Sequence, residues 1–182
     1  MIKSQDIVVL AKLLAYQSDE NWSQNRIAFE LCLSPSQVNS AFKRLVTVGL
    51  ITPYHPPAKP KPIIQACEEF FLHGLKYVFP AKLGELVRGI PTSYAAPSLK
   101  DQIIAGNDPI PVWPYGEGNE RGLALQPLYS SVPESVAEHP DPLFYDLLTL
   151  IDAIRSGRVR ERQIAGQKIS AILKSKKLVS NE

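Results

Sequence analysis

The chain is poor in the residues that most often carry metal or redox chemistry: two cysteines, three histidines and one methionine among 182 residues. Cys32 and Cys67 lie far apart, each within an apolar helical pattern. A disulfide framework or zinc site draws on more ligands at closer spacing, so both read as buried thiols. His55, His73 and His139 are scattered, and none belongs to a spacing such as H-E-x-x-H. His73 falls on a predicted helix and reads as a packed or surface residue rather than a base. No apolar run approaches the ~18 residues that cross a bilayer. The opening "MIKSQDIVVLAKLLAYQSDE" is helical in period and lacks a small-residue cleavage site after its apolar part, so a cytoplasmic protein without a membrane partner is expected. There is no phosphate-cradling glycine loop and no nucleophile elbow. "GEGNERG" at 116–122 lacks the Lys-Ser/Thr ending of a P-loop and reads as a turn. Glu68 and Glu69 point in different directions on one helix and cannot flank a common substrate. These absences argue against an enzyme, a bound cofactor and a metal centre.

What the chain has instead is proline and segregated charge. Residues 1–62 carry seven Lys/Arg against four Asp/Glu, residues 63–150 five against eleven, and residues 151–182 eight against three. The net charge of +2 therefore hides two basic ends around an acidic middle, a pattern that suggests polyanion contact at one or both ends. The apolar fraction of 45% is that of a globular protein.

Periodicity predicts helices. In "QDIVVLAKLLAYQ", residues 5–17, Ile7, Leu10, Ala11 and Leu14 form one stripe, with Ser4 as the cap. Ser23 caps "QNRIAFELC", whose inner face is Ile27, Ala28 and Leu31. After the corner "CLS", Ser34 caps a third helix with Pro35 at its first position and Gln37 as capping-box partner. Gly49 ends it as a left-handed residue. Five of the ten residues from Pro53 to Pro62 are proline, which predicts a stiff excursion after a short strand at Leu50–Thr52. Residues 63–79 return to helix, with Ile64, Cys67, Phe71, Leu75 and Val78 along one side. From Pro80 to Pro133, eight prolines and six glycines punctuate short apolar pieces. This reads as an irregular packed cover, with a hairpin in "PVWPYGEGNERGLALQPLY" turning at Gly116–Asn119. Asp141-Pro142 opens a helix stopped by Gly157, and a last helix runs from about Val159 to Lys174.

The third helix carries a polar face that packing does not require. Val38, Ala41, Phe42 and Leu45 make its buried stripe, leaving Ser36, Gln37, Asn39, Ser40, Lys43, Arg44 and Thr47 outward. Gln and Asn match the adenine edge, Ser donates or accepts, and Lys43 and Arg44 reach guanine or a flanking phosphate. No acidic residue lies between Glu30 and Glu68. Lys59 and Lys61 stand with His55 in the proline-rich excursion, held forward to meet a backbone phosphate or the minor groove. "PPAKPKP" could alternatively dock on an aromatic groove. The bland reading of the helix face is ordinary solvation.

"WSQNRIAFELCLSPSQVNSAFKRLVTVGLI", residues 22–51, resembles the winged helix-turn-helix of MarR-like bacterial transcription regulators: a Ser/Thr opens helix two, a Leu-Ser corner precedes helix three, and Gly-Leu-Ile leads into the wing. The resemblance implies double-stranded DNA as ligand and a homodimer built through helices from both chain ends. "EEFFLHGLKYVFPA", "RGIPTSYAAP" and "RGLALQPLY" resemble bacterial winged-helix proteins, some encoded beside nucleotidyltransferase-like or toxin-like proteins, which keeps open an antitoxin-like adaptor.

Three readings stand for the C-terminal basic run, with Arg155, Arg158, Arg160, Arg162 and Lys168 beside Asp152 and Glu161: a dimer helix with a solvated outer side, a second phosphate-binding surface, or a dock for an acidic partner. Trp113, Tyr115 and Tyr129 either enclose a small ligand or belong to the core. The expected fold is mainly α (α+β), with a winged helix-turn-helix DNA-binding domain over residues 1–79. Residues 80–182 would form the irregular cover and C-terminal helices, for dimerisation or partner binding. The expected function is a sequence-specific DNA-binding regulator, a repressor acting as a homodimer on a near-palindromic operator. The alternative is a partner-binding antitoxin or adaptor that uses the helix-turn-helix as scaffold.

Overall fold

A computed structural model describes residues 1–179. The chain is a mixed α/β protein in which helices dominate and one small sheet of three strands is inserted. No helix among the described residues is long and apolar enough to cross a membrane.

Helix α1 (Ser4–Ala15) begins one residue before the expected start. The Asp6 carboxylate accepts from the Lys3 backbone N–H at 2.8 Å, so Lys3 rather than Ser4 is the cap. Every residue from Gln5 to Ala15 is buried. "DIVVLAKLLA" is apolar nearly all round, and such a helix belongs inside the molecule, not on its edge. It packs against α2 (Gln24–Glu30), α3 (Pro35–Thr47) and α7 (Pro142–Ser156). Two charges are buried with it. Asp6 pairs with Arg44 of α3, and Lys12 lies 2.7 Å from Glu30 of α2 and 2.8 Å from Asp141 at the start of α7.

The caps of α2 and α3 follow the sequence. Ser23 accepts from the Arg26 N–H, and Ser34 and Gln37 form a reciprocal capping box with Pro35 in the first turn. Gly49 has φ +75°, the left-handed geometry that lets the Leu50 N–H return to the Leu45 carbonyl. The chain then leaves the body and comes back. Thr52 N–H donates to Lys61 O, Ile63 N–H donates to Leu50 O, and Ile51 pairs antiparallel with Pro62. The excursion is thus a narrow, proline-stiffened finger. The expected helix over 63–79 is present but uneven: α4 (Ile64–Glu69) passes through a π turn at Phe70–Gly74 into α5 (Leu75–Val78). Ile64 is half-buried, and Cys67, Phe71 and Leu75 are buried, but Val78 is exposed, because the extra residue in the π turn rotates the last turn off the stripe.

The middle region is more ordered than its prolines and glycines imply. β1 (Leu83–Pro91) pairs antiparallel with β2 (Pro111–Pro114) and with β3 (Glu120–Leu125). The expected hairpin is corrected here: since both strands run antiparallel to β1, they lie parallel to each other, with Pro111 opposite Leu123 and Val112 opposite Ala124. Closure depends on Gly89, opposite both Pro114 and Glu120; a Cβ there would lie 1.9 Å from the Trp113 carbonyl oxygen. Trp113 is 1% exposed and its indole N–H donates to Asp152 Oδ2 at 2.6 Å. Thr92 donates to the same oxygen at 2.8 Å, and Arg155 donates to Oδ1 at 2.6 Å while also holding the Phe79 carbonyl. Burial raises the affinity of Asp152 for its proton, and Arg155 opposes that shift.

Helix α6 (Val132–Glu138) precedes α7, and α8 (Val159–Val179) closes the chain by laying Ala165, Ile169 and Leu173 on the core. One apolar cluster runs from Ile7 to Leu173. The basic run is not a uniform charged surface: Arg155 is buried in the Asp152 cluster, Lys168 donates to the Ser98 carbonyl, and Glu161 caps α8 by accepting from the Arg158 N–H. Arg158, Arg160, Lys174 and Lys177 remain exposed.

Candidate nucleic-acid interface

Helix α3 divides cleanly by angle. At 3.6 residues per turn each residue advances about 100°. Val38, Ala41, Phe42 and Leu45 fall on one side and are buried. Ser36, Asn39, Ser40, Lys43 and Thr47 fall together on the opposite side, within an arc of about 100°. Ser36, Asn39, Lys43 and Thr47 are exposed and Ser40 is half-buried. Two of these side chains make local bonds: Asn39 Nδ2 donates to Gln24 Oε1 at 3.2 Å, and the Thr47 hydroxyl donates to the Lys43 carbonyl at 2.9 Å. Both retain acceptor capacity.

Gln37 and Arg44 stand on the flank between the two sides, and both are held by the fold. Gln37 Oε1 accepts from the Ser34 N–H at 2.8 Å, and its Nε2 donates to the Tyr129 hydroxyl at 2.9 Å. The expectation treats Gln37 as free to meet an adenine edge; its amide is instead tied at both ends within the protein, with one N–H and one lone pair left over. Arg44 donates from Nε and Nη2 to the two oxygens of Asp6, at 2.8 and 2.6 Å. Asp6 is fully buried, and this pairing holds the guanidinium more firmly protonated. Arg44 is therefore a strut between α1 and α3 rather than an outward-reaching side chain.

Lys59 also departs from the expectation. Its Nζ donates to Asn21 Oδ1 at 2.8 Å and to the Trp22 carbonyl, with the ammonium 5.1 Å from the centre of the Trp22 ring. Proline stiffens the finger but does not aim this side chain forward; the aromatic face and the carbonyl draw it back on the body. Lys61, on the returning limb, is exposed. Lys43 and Lys61 join no ion pair among the described residues, and neither does Lys3, exposed at the start of α1.

Beside the polar arc of α3 is a pocket of about 450 Å³ lined by Lys3, Ser4, Gln5, Ser36, Gln37, Ser40, Arg44 and Tyr129. The first turns of α1 and α3 contribute Ser4, Gln5, Ser36 and Gln37. Gln5 is 8% exposed, and its Nε2 has no hydrogen-bond partner among the described residues. Positive helix ends, an unused amide donor and lysine charge suit an anion. Lys3, Gln5 and Tyr129 carry no helix-turn-helix signal of their own, so only the fold joins them to this site.

The two cysteines part company. Cys67 is buried, its thiol pushed up to about 12 by burial. Cys32 is corrected: it is half-exposed in the α2–α3 corner, at φ +53°. Trp113 is core, whereas Tyr115 and Tyr129 are half-buried, and Tyr129 lines the pocket beside α3. No family model, curated protein or solved structure matches this chain.

Proposed function

We propose that the chain is a sequence-specific double-stranded DNA-binding regulator, with α2, α3 and the finger over 50–63 acting as a winged helix-turn-helix. The observation that carries this reading is the acid-free polar arc of Ser36, Asn39, Ser40, Lys43 and Thr47 along one side of a capped helix, all exposed but the half-buried Ser40. A plain solvated helix face would mix acidic and basic side chains. This arc offers only donors, neutral acceptors and one cation, the set that matches base edges and phosphates.

In this reading Asn39 and the two serines read bases, while Lys43, Lys61 and Lys3 grip phosphate. Gln37, Arg44 and Lys59 position α3 and the finger. The Gln5 pocket seats one phosphate oxygen at the ends of α1 and α3. A homodimer presents two such helices to successive major grooves about 34 Å apart on a near-palindromic operator. The test is a mobility shift on DNA from the protein's own promoter region, with competitor DNA present. A shift that Asn39→Ala redirects at one base pair supports the reading. Absence of any shift, with a neighbouring gene's product retained in a pull-down, favours the adaptor instead.

A further inference from the structure

Glu138 and His139 are neighbours in sequence, but Cys32 lies far from them, and no spacing in the sequence links it to the pair. In the fold their ligating atoms, one sulfur, one carboxylate oxygen and one ring nitrogen, all lie within 4.8 Å of one another. The surroundings hold two of the three in place. The left-handed backbone at Cys32 fixes the corner that presents the thiol, and the Phe29 ring packs against the His139 imidazole at a tilt of 52°, with centroids 4.6 Å apart. Glu138 is exposed, and together with His139 it lines a groove of about 660 Å³ open to solvent.

We propose that Cys32, Glu138 and His139 bind a zinc ion, leaving a fourth position for water and tying the α2–α3 corner to the C-terminal end of α6. The donor set decides the metal. A thiolate with an imidazole and a carboxylate suits zinc and disfavours magnesium or calcium, which take oxygen alone. Zinc bonds of about 2.0–2.3 Å in a tetrahedron place ligand atoms roughly 3.3–3.7 Å apart. From separations of up to 4.8 Å, the ligand atoms must draw together by about 1 Å as the ion binds. The thiol releases its proton to solvent as the Zn–S bond forms. Thiolate and carboxylate together then balance the two charges of the ion. The site stands on its own geometry and does not depend on DNA binding.

The experiment titrates the chelator-stripped full chain with cobalt(II), whose bond to a thiolate gives a charge-transfer band in the near ultraviolet. The band should saturate at one equivalent, and zinc should abolish it. Cys32→Ser should lose the band and Cys67→Ser should keep it. His139→Gln should weaken cobalt binding at least tenfold while leaving the circular dichroism of the chain unchanged. Should Cys32→Ser fail to fold, the comparison of His139→Gln with Cys67→Ser still decides. A folded wild-type chain that gives no band overturns the proposal, and so does a band that survives Cys32→Ser, disappears with Cys67→Ser, or is untouched by His139→Gln.

Discussion

Salt dependence gives the proposed interface a number. Each phosphate neutralised by a lysine releases counterions, and log K falls with log salt at a slope of about −0.9 per contact. Per protomer, three exposed lysines flank the α3 face without a carboxylate partner among the described residues: Lys3, Lys43 and Lys61. A dimer would thus make about six such contacts, for a slope near −5.4 and an affinity loss of about two-thousandfold between 50 and 200 mM salt. Lys43→Ala removes one contact per protomer, so the slope should fall to about −3.6 and the same salt step should cost only about 150-fold. Arg44 and Lys59 are excluded from the count because Asp6 and the Trp22 carbonyl already hold them. Fluorescence anisotropy of labelled operator against salt measures these slopes directly. A Lys59→Ala slope change equal to that of Lys43→Ala would refute the sorting of these cations, and an unchanged slope for Lys43→Ala would refute the interface.

Four further outcomes are expected. Gln37→Ala should cost about 1 kcal/mol of stability through the lost capping box while leaving base preference intact, as read by urea unfolding beside a binding-site selection. Asp152→Ala leaves Arg155 buried without its partner and should destabilise by about 3–5 kcal/mol in the same unfolding assay. Gly89→Ala forces a Cβ into the Trp113 carbonyl and should cost more than about 3 kcal/mol, with loss of the near-ultraviolet signal of the buried indole. Burial alone would raise Glu30, but hydrogen bonds from Lys12, Arg26 and Tyr16 bring it below the ordinary carboxylate range. Its contribution to stability is therefore complete above that range and lost as pH falls through the lowered folded value. Glu30→Gln should flatten the acid limb of the stability–pH curve measured by thermal unfolding, and an unchanged limb would remove Glu30 as its source.

Local rules were legible wherever the signal is carried by neighbours in sequence. Ser23, Ser34, Pro35, Gln37, Gly49 and Asp141 end or begin their elements as capping chemistry dictates. The buried stripe of α3 follows from its period alone. What could not be read was partnership across the chain. Nothing near Lys12 announces that Glu30 and Asp141 will meet it, and nothing near Gln37 announces Tyr129. β1 was illegible for a different reason. "LGELVRGIP" has neither a strict alternation nor a β-branched run, and its strand state comes from pairing with two partners that lie further along the chain. The aim of Lys59 was missed because a stiff backbone constrains the finger, whereas a flexible four-carbon side chain follows the nearest aromatic face and carbonyl.

The ties on α3 have a common consequence. Asp6 holds its C-terminal half through Arg44, Tyr129 holds its first turn through Gln37, and the Cys32 corner fixes where the helix begins. A buried ion pair such as Asp6–Arg44 contributes little net stability after desolvation, but its two parallel bonds tolerate only one relative placement of α1 and α3. Its role is register. Tyr129 belongs to the segment between β3 and α6, so the C-terminal half of the chain touches the same helix that would read DNA. A tilt of α3 must break at least one of these bonds, and the exposed arc from Ser36 to Thr47 therefore moves only as a unit with α1 and the Tyr129 segment. It follows that a Tyr129→Phe variant, which removes one hydroxyl and leaves the ring, should change operator affinity without touching any base, and that Arg44→Lys should do so more strongly because a lysine cannot make both bonds to Asp6.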